Sequence, residues 1–266
     1  MKEDEHTVVL ERFPAPPVDA APAPSTEDDD YTVSAEFYDL LQARQDEQRV
    51  RRLYGRDVAD ARLGVLDIGA GTGRVTLMSL AESGVRVHAV EPARAMRAPL
   101  MTRLAMLPAE LRGRVTVHPS TLRQAGLRSV ADVAVCHNTV AAVPPAARRE
   151  LWPSVARALV PGGSLILQLP PSRLPSRDVV KVYPEQRVGG HLYGGRLVMS
   201  AEGNRIRTRF DYWVRDPRRV LREHTETFWM WPATRDQMAA DLARHGFVPL
   251  PGRRDPAVLA VALRSP

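Results

Sequence analysis

The sequence predicts an α/β fold, in which a parallel sheet is covered by helices on both faces and is followed by an added antiparallel sheet. Short apolar runs alternate with helix-length segments over residues 63–169, and runs without a polar stripe are typical of strands buried on both faces. The pattern changes over residues 189–230, where side chains 205–215 alternate in polarity, and this period of two indicates half-buried antiparallel strands. With 266 residues, 44% apolar and 26% charged, the chain suits one large or two small globular domains.

The first predicted element is a helix that begins at Ser34, a favourable N-cap, and ends at Gly55, a favourable C-cap. Pro99 and Pro153 fall inside two later helical segments and are expected to break or restart them. A capping box at Thr234 begins a further helix, and a last strand follows it. The predicted strands cover residues 63–67, 85–91, 115–118, 131–137, 164–169 and 258–263, and the crossover helices cover residues 72–83, 93–107 and 145–160.

Charge is distributed unevenly between the first 30 residues and the rest of the chain. Residues 1–30 hold nine acidic and two basic side chains and are rich in proline, so we expect a flexible leader. Since the whole chain has a formal charge of +6, residues 31–266 carry about +13. That charge suggests a nucleic-acid partner, but the bases are mostly scattered arginines, which is not the pattern of a polyanion surface.

Cysteine content and hydropathy bear on the cellular compartment. Cys136 is the single cysteine, so the chain has neither an internal disulfide nor a cysteine-rich zinc site. The sequence shows no signal-peptide pattern and no apolar run of the roughly 18 residues that a membrane span requires. We therefore expect a cytoplasmic protein without a bound metal or a membrane segment.

The most informative segment is a glycine-rich turn after the first predicted strand. The strand ends in Asp67, the glycines Gly69, Gly71 and Gly73 alternate through the turn, and a helix follows. Glycines allow a ligand to approach the backbone closely, and a helix N-terminus offers N–H groups to an anion. The acid two residues before the first glycine, and a G-x-G-x-G rather than a G-x-G-x-x-G spacing, favour a nucleoside cofactor other than a dinucleotide.

A second acid follows the next predicted strand. Glu91 lies at the carboxyl end of that strand, where a carboxylate is placed to accept both hydroxyls of a ribose. Asp67 and Glu91 together indicate an adenosine-type ligand. The alternative for Glu91 is a carboxylate that caps the next helix.

With these residues the sequence resembles the class I S-adenosylmethionine-dependent methyltransferases, and the resemblance runs from about Leu63 to Arg264. The resemblance implies a Rossmann-like, seven-stranded sheet whose last strand is antiparallel, and S-adenosylmethionine as the cofactor. Five landmarks occur in the family's order, namely the Asp67–Gly73 turn, Glu91, the strand at 131–139, the Leu159–Gly163 turn and the Arg244–Phe247 segment.

The resemblance also implies how the chain is divided. Residues 31–62 form a helical lid, within which Ser34–Leu53 covers the cofactor. Residues 63–170 and 232–266 form the methyltransferase core. Residues 171–231 form the antiparallel insertion on the acceptor side, and residues 1–30 remain a leader.

The cofactor-binding residues are likewise implied by the resemblance. One position departs from the family, because Ser120-Thr121 stands where Gly-Asp often binds the adenine amino group, so Thr121 brings a hydroxyl without a charge. Asn138 occupies the position that lines the methionine part of the cofactor. The full set is Tyr38, Asp67, Gly69, Ala70, Gly71, Gly73, Glu91, Pro92, Met96, Thr121, Leu122, His137 and Asn138.

Catalytic and acceptor-binding residues are expected near the added sheet and at the cofactor end of the core. Methyl transfer from a sulfonium mainly requires alignment in a dry pocket, and a general base is needed only when the acceptor arrives protonated. The candidate bases are His137, His191, Asp211 and His224, each of which has a structural role as its alternative. Candidate acceptor contacts are Arg196, Arg209, Tyr212, Trp213 and Phe228, with Arg207 as a further candidate for anion binding.

The sequence therefore favours methylation of an oxygen or nitrogen atom of a small-molecule or peptide natural product. RNA or DNA methylation is the first alternative, although His137-Asn138-Thr139-Val140 stands where many base methylases carry Asp/Asn-Pro-Pro-aromatic. The glycine turn is also compatible with a dinucleotide-dependent oxidoreductase, which its spacing disfavours, or with a non-catalytic cofactor-binding protein. The sequence does not indicate the oligomeric state.

Overall fold

The computed structural model describes residues 31–251 and 255–265, so the predicted leader, residues 1–30, lies outside the described part. The helices are α1 (Ser34–Ala59), α2 (Arg74–Glu82), α3 (Arg94–Ala105), α4 (Ala109–Arg112), α5 (Leu122–Ala125), α6 (Pro145–Ala158) and α7 (Arg235–Ala243), with a 3₁₀ turn at Val140–Ala142. The strands are β1 (Gly64–Ile68), β2 (Arg86–Val90), β3 (Val115–His118), β4 (Ala131–Cys136), β5 (Leu159–Gln168), β6 (Val179–Val188), β7 (His191–Glu202), β8 (Arg205–Arg215), β9 (Val220–Met230), β10 (Phe247–Pro249) and β11 (Val258–Leu263).

Seven strands form the central sheet, in the order β10-β11-β5-β4-β1-β2-β3. Strands β1 to β5 are parallel, whereas β11 runs antiparallel to both β5 and β10. The predicted Rossmann-like sheet with an antiparallel last strand is therefore confirmed. Because the strand order reverses between β1 and β4, the carboxyl ends of these strands open a crevice in which ligands of such sheets bind.

Helices cover both faces of the central sheet. On one face, α1, α2 and α3 bury Tyr54, Val75 and Leu100 against β1, β2 and β4. On the other face, α6 and α7 bury Trp152 and Leu242 against β4, β5 and β11. Both faces are apolar, as the unbroken hydrophobic runs of the strands predicted.

Three details of the predicted elements are wrong. Helix α1 has Val33 as its N-cap and continues past Gly55 to Ala59, because Val58 is fully buried against the core. Pro99 and Pro153 lie inside uninterrupted helices, since burial of Leu100 and Trp152 beside them outweighs the lost backbone hydrogen bonds. Strand β5 begins at Leu159, and the Val160–Gly163 turn forms a bulge opposite β4.

The added sheet is larger than predicted, with four antiparallel strands in the order β6-β7-β8-β9. The sequence pattern placed its start at residue 189, whereas β6 covers Val179–Val188. Pro184 lies at an irregularity in the β6–β7 register, on the edge strand, where proline is tolerated. Strand β6 lacks the regular alternation of polar and apolar residues that identifies β8, because polar residues interrupt it.

Helix α1 joins the two sheets. Its C-terminal half packs Val50 and Tyr54 on the central sheet, and its N-terminal half packs Phe37 and Leu41 on the added sheet. Within the described residues, no helix is both long and apolar enough to cross a membrane.

Candidate cofactor and acceptor sites

The glycine turn follows β1 as predicted, and its backbone conformation requires glycine. Gly69 has φ +72°, and a Cβ there would lie 2.3 Å from Thr139 Oγ1. Gly73 has φ +93°, and a Cβ there would lie 2.5 Å from Leu100 Cδ1. Any side chain would be strained at both positions, so the turn can only be built closely against β4 and α3 with these glycines.

The amide groups of the turn are already occupied within the protein. Gly69 N and Ala70 N donate to the carbonyl of Val90, and Gly73 N donates to the carbonyl of Ala70. Gly71 N donates to Glu91 Oε2 at 2.7 Å. These four amide groups are therefore not free for a ligand.

Asp67 is buried beneath the turn, with 1% of its surface exposed. Its carboxylate accepts a hydrogen bond from Thr76 Oγ1 at 2.6 Å. Burial raises the pKa of Asp67 to about 7, with Glu91 adding to the rise and the Thr76 hydrogen bond opposing it. Asp67 thus lines the space beside the turn, but one of its oxygens is bonded to Thr76 inside the protein.

Glu91 holds the turn and the following helix together. Its Oε2 accepts from Gly71 N, and its Oε1 accepts from Ala93 N at 2.8 Å, at the start of α3. Burial raises its pKa, while both backbone hydrogen bonds oppose that rise. Glu91 thus bonds Ala93, the N-cap residue of α3, but no side-chain hydrogen bond caps that helix, so the helix-capping alternative is not realised. Since each carboxylate oxygen has a second lone pair, ribose hydroxyls can still be accepted.

The other residues predicted near the adenosine lie on adjacent segments. Met96 is buried, and its Cε would lie 3.6 Å from a Cβ placed on Gly71. Thr121 caps α5 through a reciprocal capping box with Gln124, so its hydroxyl is engaged locally. Leu122 is buried and Pro92 is exposed.

Above the turn, α1 carries two acids that were absent from the sequence predictions. Asp39 accepts hydrogen bonds from Thr72 Oγ1 at 2.7 Å and Arg74 Nη2 at 3.2 Å, and pairs with Arg103 Nη2 at 2.8 Å. Asp46, two helical turns further, pairs with Arg74 Nη1. Arg74, the first residue of α2, thus links the glycine turn to α1.

His137 continues this network at the end of β4. Its Nδ1 lies 3.0 Å from the Tyr54 hydroxyl, and its Nε2 lies 3.2 Å from Asp46 Oδ1 and from Asn138 Nδ2. Although burial opposes it, the hydrogen bond from His137 and the charge of Arg74 lower the pKa of Asp46. Asp46 is therefore a partly buried carboxylate that remains ionised.

A cavity lies between α1 and the glycine turn, and we call it the cofactor cavity. Arg74 closes one side of it, with the guanidinium 4.6 Å from the Tyr38 ring centroid. Its lining residues are Tyr38, Asp46, Asp67, Gly69, Ala70, Gly71, Thr72, Arg74, Val75 and His137.

The residues predicted at the acceptor site lie on opposite faces of the added sheet. On the inward face, the ring centroid of Tyr212 lies 4.5 Å from that of Phe37 in α1, and the two rings are stacked. The ring of Phe228 stacks in the same way on Tyr31, which precedes α1, with 4.6 Å between the centroids. His224 is on the same face, 6.2 Å from the Phe37 ring, and its Nε2 is buried without a hydrogen-bond partner. This face was expected as an apolar wall.

The outward face carries the predicted arginines and the candidate base Asp211. Asp211 accepts from Arg196 at 2.8 Å, Arg209 at 3.2 Å and Thr225 at 3.0 Å. Trp213 lies on this face too and donates to Glu185. The structure therefore separates Asp211, Arg196, Arg209 and Trp213 from Tyr212 and Phe228, and no general-base role for Asp211 at the cofactor cavity follows from its position.

His191, another candidate base, does not line the cofactor cavity. It is exposed at the first residue of β7, and only His137 among the four candidate bases lines the cofactor cavity.

Comparison with known proteins agrees with this geometry. Residues 65–163 match the family described as a methyltransferase domain, a range that includes the glycine turn, Glu91 and His137. Residues 65–163 therefore form a methyltransferase domain. The predicted resemblance is thereby confirmed, while a search of curated proteins found no significant match.

Solved structures of methyltransferases share the fold over most of the chain. An amino pentose methyltransferase of calicheamicin biosynthesis from Micromonospora echinaspora is 23% identical, with a TM-score of 0.60 and coverage of 84% of this chain and 90% of that chain. DesVI from Streptomyces venezuelae is 20% identical, with a TM-score of 0.68 and coverage of 87% and 98%. A sugar N-methyltransferase from Streptoalloteichus is 20% identical, with a TM-score of 0.65 and coverage of 95% and 100%.

Several side chains of the methyltransferase domain and its lid were not predicted from the sequence. Arg74 and Thr76 follow the last glycine directly, so their position at the start of α2 was a usable signal. Asp39 and Asp46 lie seven residues apart and thus near one face of the predicted helix. Their pairing with Arg74 joins segments about 30 residues apart, and no local pattern indicates it.

Proposed function

We propose that this chain transfers a methyl group from S-adenosylmethionine to a nitrogen or oxygen atom of a small-molecule natural product. The observation that carries the proposal is the cofactor cavity, in which the glycine turn and His137, which follows β4, meet beneath α1, with Glu91 bonded to the turn through Gly71 N. The residues fit the cofactor, because the cavity is lined by the carboxylate of Asp46 and by Arg74, whose Nε is buried without a partner, and these groups suit a ligand that carries both an ammonium and a carboxylate.

The chain's own residues would hold the cofactor in parts. Glu91 offers lone pairs to the ribose hydroxyls, and Met96, Thr121 and Leu122 surround the place of the adenine. His137 and Asn138 stand at the methionine end. When bound, the cofactor supplies an activated methyl group on a sulfonium, which a nucleophile displaces in line.

The protein's main contribution is alignment and exclusion of water. Helix α1 closes the cavity from above, and Phe37 and Tyr212 fill the space between α1 and the added sheet with stacked aromatic rings. A neutral amine needs no base, whereas a protonated amine or a hydroxyl must first lose a proton. His137 at the cavity and His224 on the inward face remain the candidate acceptors of that proton.

An amino group on a sugar or glycopeptide is the acceptor that we favour. The similar structures include an amino pentose methyltransferase, a sugar N-methyltransferase and a glycopeptide N-methyltransferase. A peptide acceptor and an oxygen atom remain within the proposal, and the division of the chain into leader, lid, core and insertion, like its cytoplasmic location, remains a prediction.

The test is methyl transfer from labelled S-adenosylmethionine to a panel of amino sugars and glycopeptides, followed by mass spectrometry of the products. We expect a gain of one methyl group on an amine, and a strong loss of turnover in Glu91→Gln at limiting cofactor. Cofactor binding without transfer to any acceptor class would favour a non-catalytic cofactor-binding protein.

The nucleic-acid alternative has its own test. At about 0.15 M salt, where the Debye length is only about 8 Å, we expect negligible binding to mixed RNA and DNA. Micromolar affinity with a log–log salt slope steeper than about −3 would instead indicate several neutralised phosphates and overturn the small-molecule proposal.

A further inference from the structure

Two acids of α1 share Arg74, but they differ in what else surrounds them. Asp39 is fully engaged, since one oxygen accepts from Thr72 and Arg74 and the other pairs with Arg103. Asp46 lines the cofactor cavity, whereas Asp39 is not among the lining residues. Asp46 is therefore the acid that a ligand in the cavity would meet.

Arg74 lines the cavity and has unused hydrogen-bonding capacity. Its side chain is 4% exposed, and its Nε is buried without a partner. A guanidinium presents a rigid fork of donors that matches a carboxylate. An anionic group that entered the cavity would therefore find a complementary cation already in place.

The opposite charges of Asp46 and Arg74 also match a ligand group that carries one positive and one negative charge. Asp46 and Arg74 neutralise each other, so a zwitterion that inserts between them replaces one ion pair by two and leaves the buried charge balanced. Other groups around the cavity are less suitable partners, because the amide groups of Gly69, Ala70, Gly71 and Gly73 are occupied and Asp67 is bound by Thr76.

We propose that Asp46 and Arg74 select the amino-acid end of the cofactor by exchanging their mutual ion pair for pairs with its ammonium and carboxylate groups. This inference rests on the proposed function. The carboxylate takes the place of Asp46 on Arg74, and the ammonium takes the place of Arg74 on Asp46. His137 keeps Asp46 oriented through its Nε2, and Tyr54 keeps His137 oriented through its Nδ1.

Calorimetric titration with two ligands tests this exchange. S-adenosylhomocysteine carries the amino-acid end, and 5′-methylthioadenosine carries the same adenosine and sulfur without it. We expect the wild type to prefer S-adenosylhomocysteine, and Asp46→Asn to reduce that preference by about tenfold or more, the scale of a charge-assisted hydrogen bond. The affinity for 5′-methylthioadenosine should remain within about threefold of the wild type, because that ligand needs no charge at residue 46.

Asp39→Asn is the matched control, because it removes a charge from the same helix and from the same arginine. It should weaken both ligands alike and leave the preference unchanged. Arg74→Lys keeps the charge but loses the fork, so it should also reduce the preference, and it provides the test if Asp46→Asn does not fold.

The outcomes separate this inference from the proposed function. Failure of the wild type to bind either ligand would contradict the proposed cofactor. Binding with a preference that neither Asp46→Asn nor Arg74→Lys reduces, or that Asp39→Asn reduces equally, would leave the cofactor in place and overturn the role of the pair.

Discussion

The cofactor cavity and the added sheet were predicted from the same sequence, but the two regions differ in how their predicted residues come together. At the glycine turn, Asp67, Glu91 and His137 lie at or next to the carboxyl ends of three neighbouring parallel strands, and all three lie at one edge of the central sheet. In the added sheet, Tyr212 and Trp213 are adjacent in sequence and lie on opposite faces. Position at a strand end therefore brings residues together that are distant in sequence, whereas adjacency within a strand separates neighbours onto opposite faces.

The physical reason is the direction of side chains in each setting. Parallel strands joined by crossovers all end on the same side, so residues that follow them meet in space whatever the intervening helix. Within one strand successive side chains point to opposite faces, so a cluster of aromatic and basic residues divides in two. The inward face packs on α1, and the outward face forms ion pairs such as Arg215 with Glu185.

The largest expected effect separates the two faces of the added sheet. Tyr212 is 2% exposed and stacks on Phe37, so Tyr212→Ala should lower the free energy of unfolding by about 3–5 kcal/mol. Trp213 is half-buried on the outward face, so Trp213→Ala should lower the free energy of unfolding by only about 1–2 kcal/mol. Urea unfolding measures both, and equal costs would contradict the assignment of faces.

The same pair carries a functional expectation. With the cofactor still bound, Tyr212→Ala should abolish turnover, because it removes apolar wall from the acceptor side. Trp213→Ala should retain turnover. An inactive Trp213→Ala with an active Tyr212→Ala would place the acceptor on the outward face instead.

The next effect concerns the glycine turn. Gly69→Ala should cost about 2–4 kcal/mol of stability, since an alanine at φ +72° is strained and its Cβ would contact Thr139. Binding of S-adenosylhomocysteine should fall with it. Gly84→Ala is the control, because no atom lies within 4 Å of a Cβ there, and its unfolding curve should match the wild type. A stable, fully binding Gly69→Ala would show that the turn relaxes without cost.

A smaller effect comes from the ionisation of Asp67. Its pKa is raised on folding to about 7, so the folded protein holds a proton that the unfolded chain releases from about pH 4 upward. The wild type should therefore lose about 3–4 kcal/mol relative to Asp67→Asn as the pH rises from 4 to about 8, where Asp67 is ionised in both the folded and the unfolded state. Asparagine can still accept from Thr76. If the difference in free energy of unfolding between the wild type and Asp67→Asn did not change with pH, the raised pKa of Asp67 would be contradicted. The lowered pKa values of His88 and His118 act in the opposite direction, but they are common to both proteins and cancel.

The sequence predicted those features that local patterns determine. The turn at Gly69–Gly73 and the acid at Glu91 follow from strand ends, and the antiparallel sheet follows from the alternation around Tyr212. It missed β6, because Lys181, Pro184 and Gln186 interrupt the pattern that its neighbours show. It also missed the ion pairs between α1 and Arg74, since these depend on where a long helix crosses the sheet.

The most direct test of cofactor binding at this cavity is a calorimetric titration of the wild type with S-adenosylhomocysteine and, separately, with NAD. We expect S-adenosylhomocysteine to bind and NAD to bind far more weakly. In Glu91→Ala, S-adenosylhomocysteine should lose about 1–3 kcal/mol of binding free energy, the scale of charge-assisted hydrogen bonds to the ribose. Unchanged affinity in Glu91→Ala would remove Glu91 from the ribose, and a preference of the wild type for NAD would contradict the methyltransferase cofactor altogether.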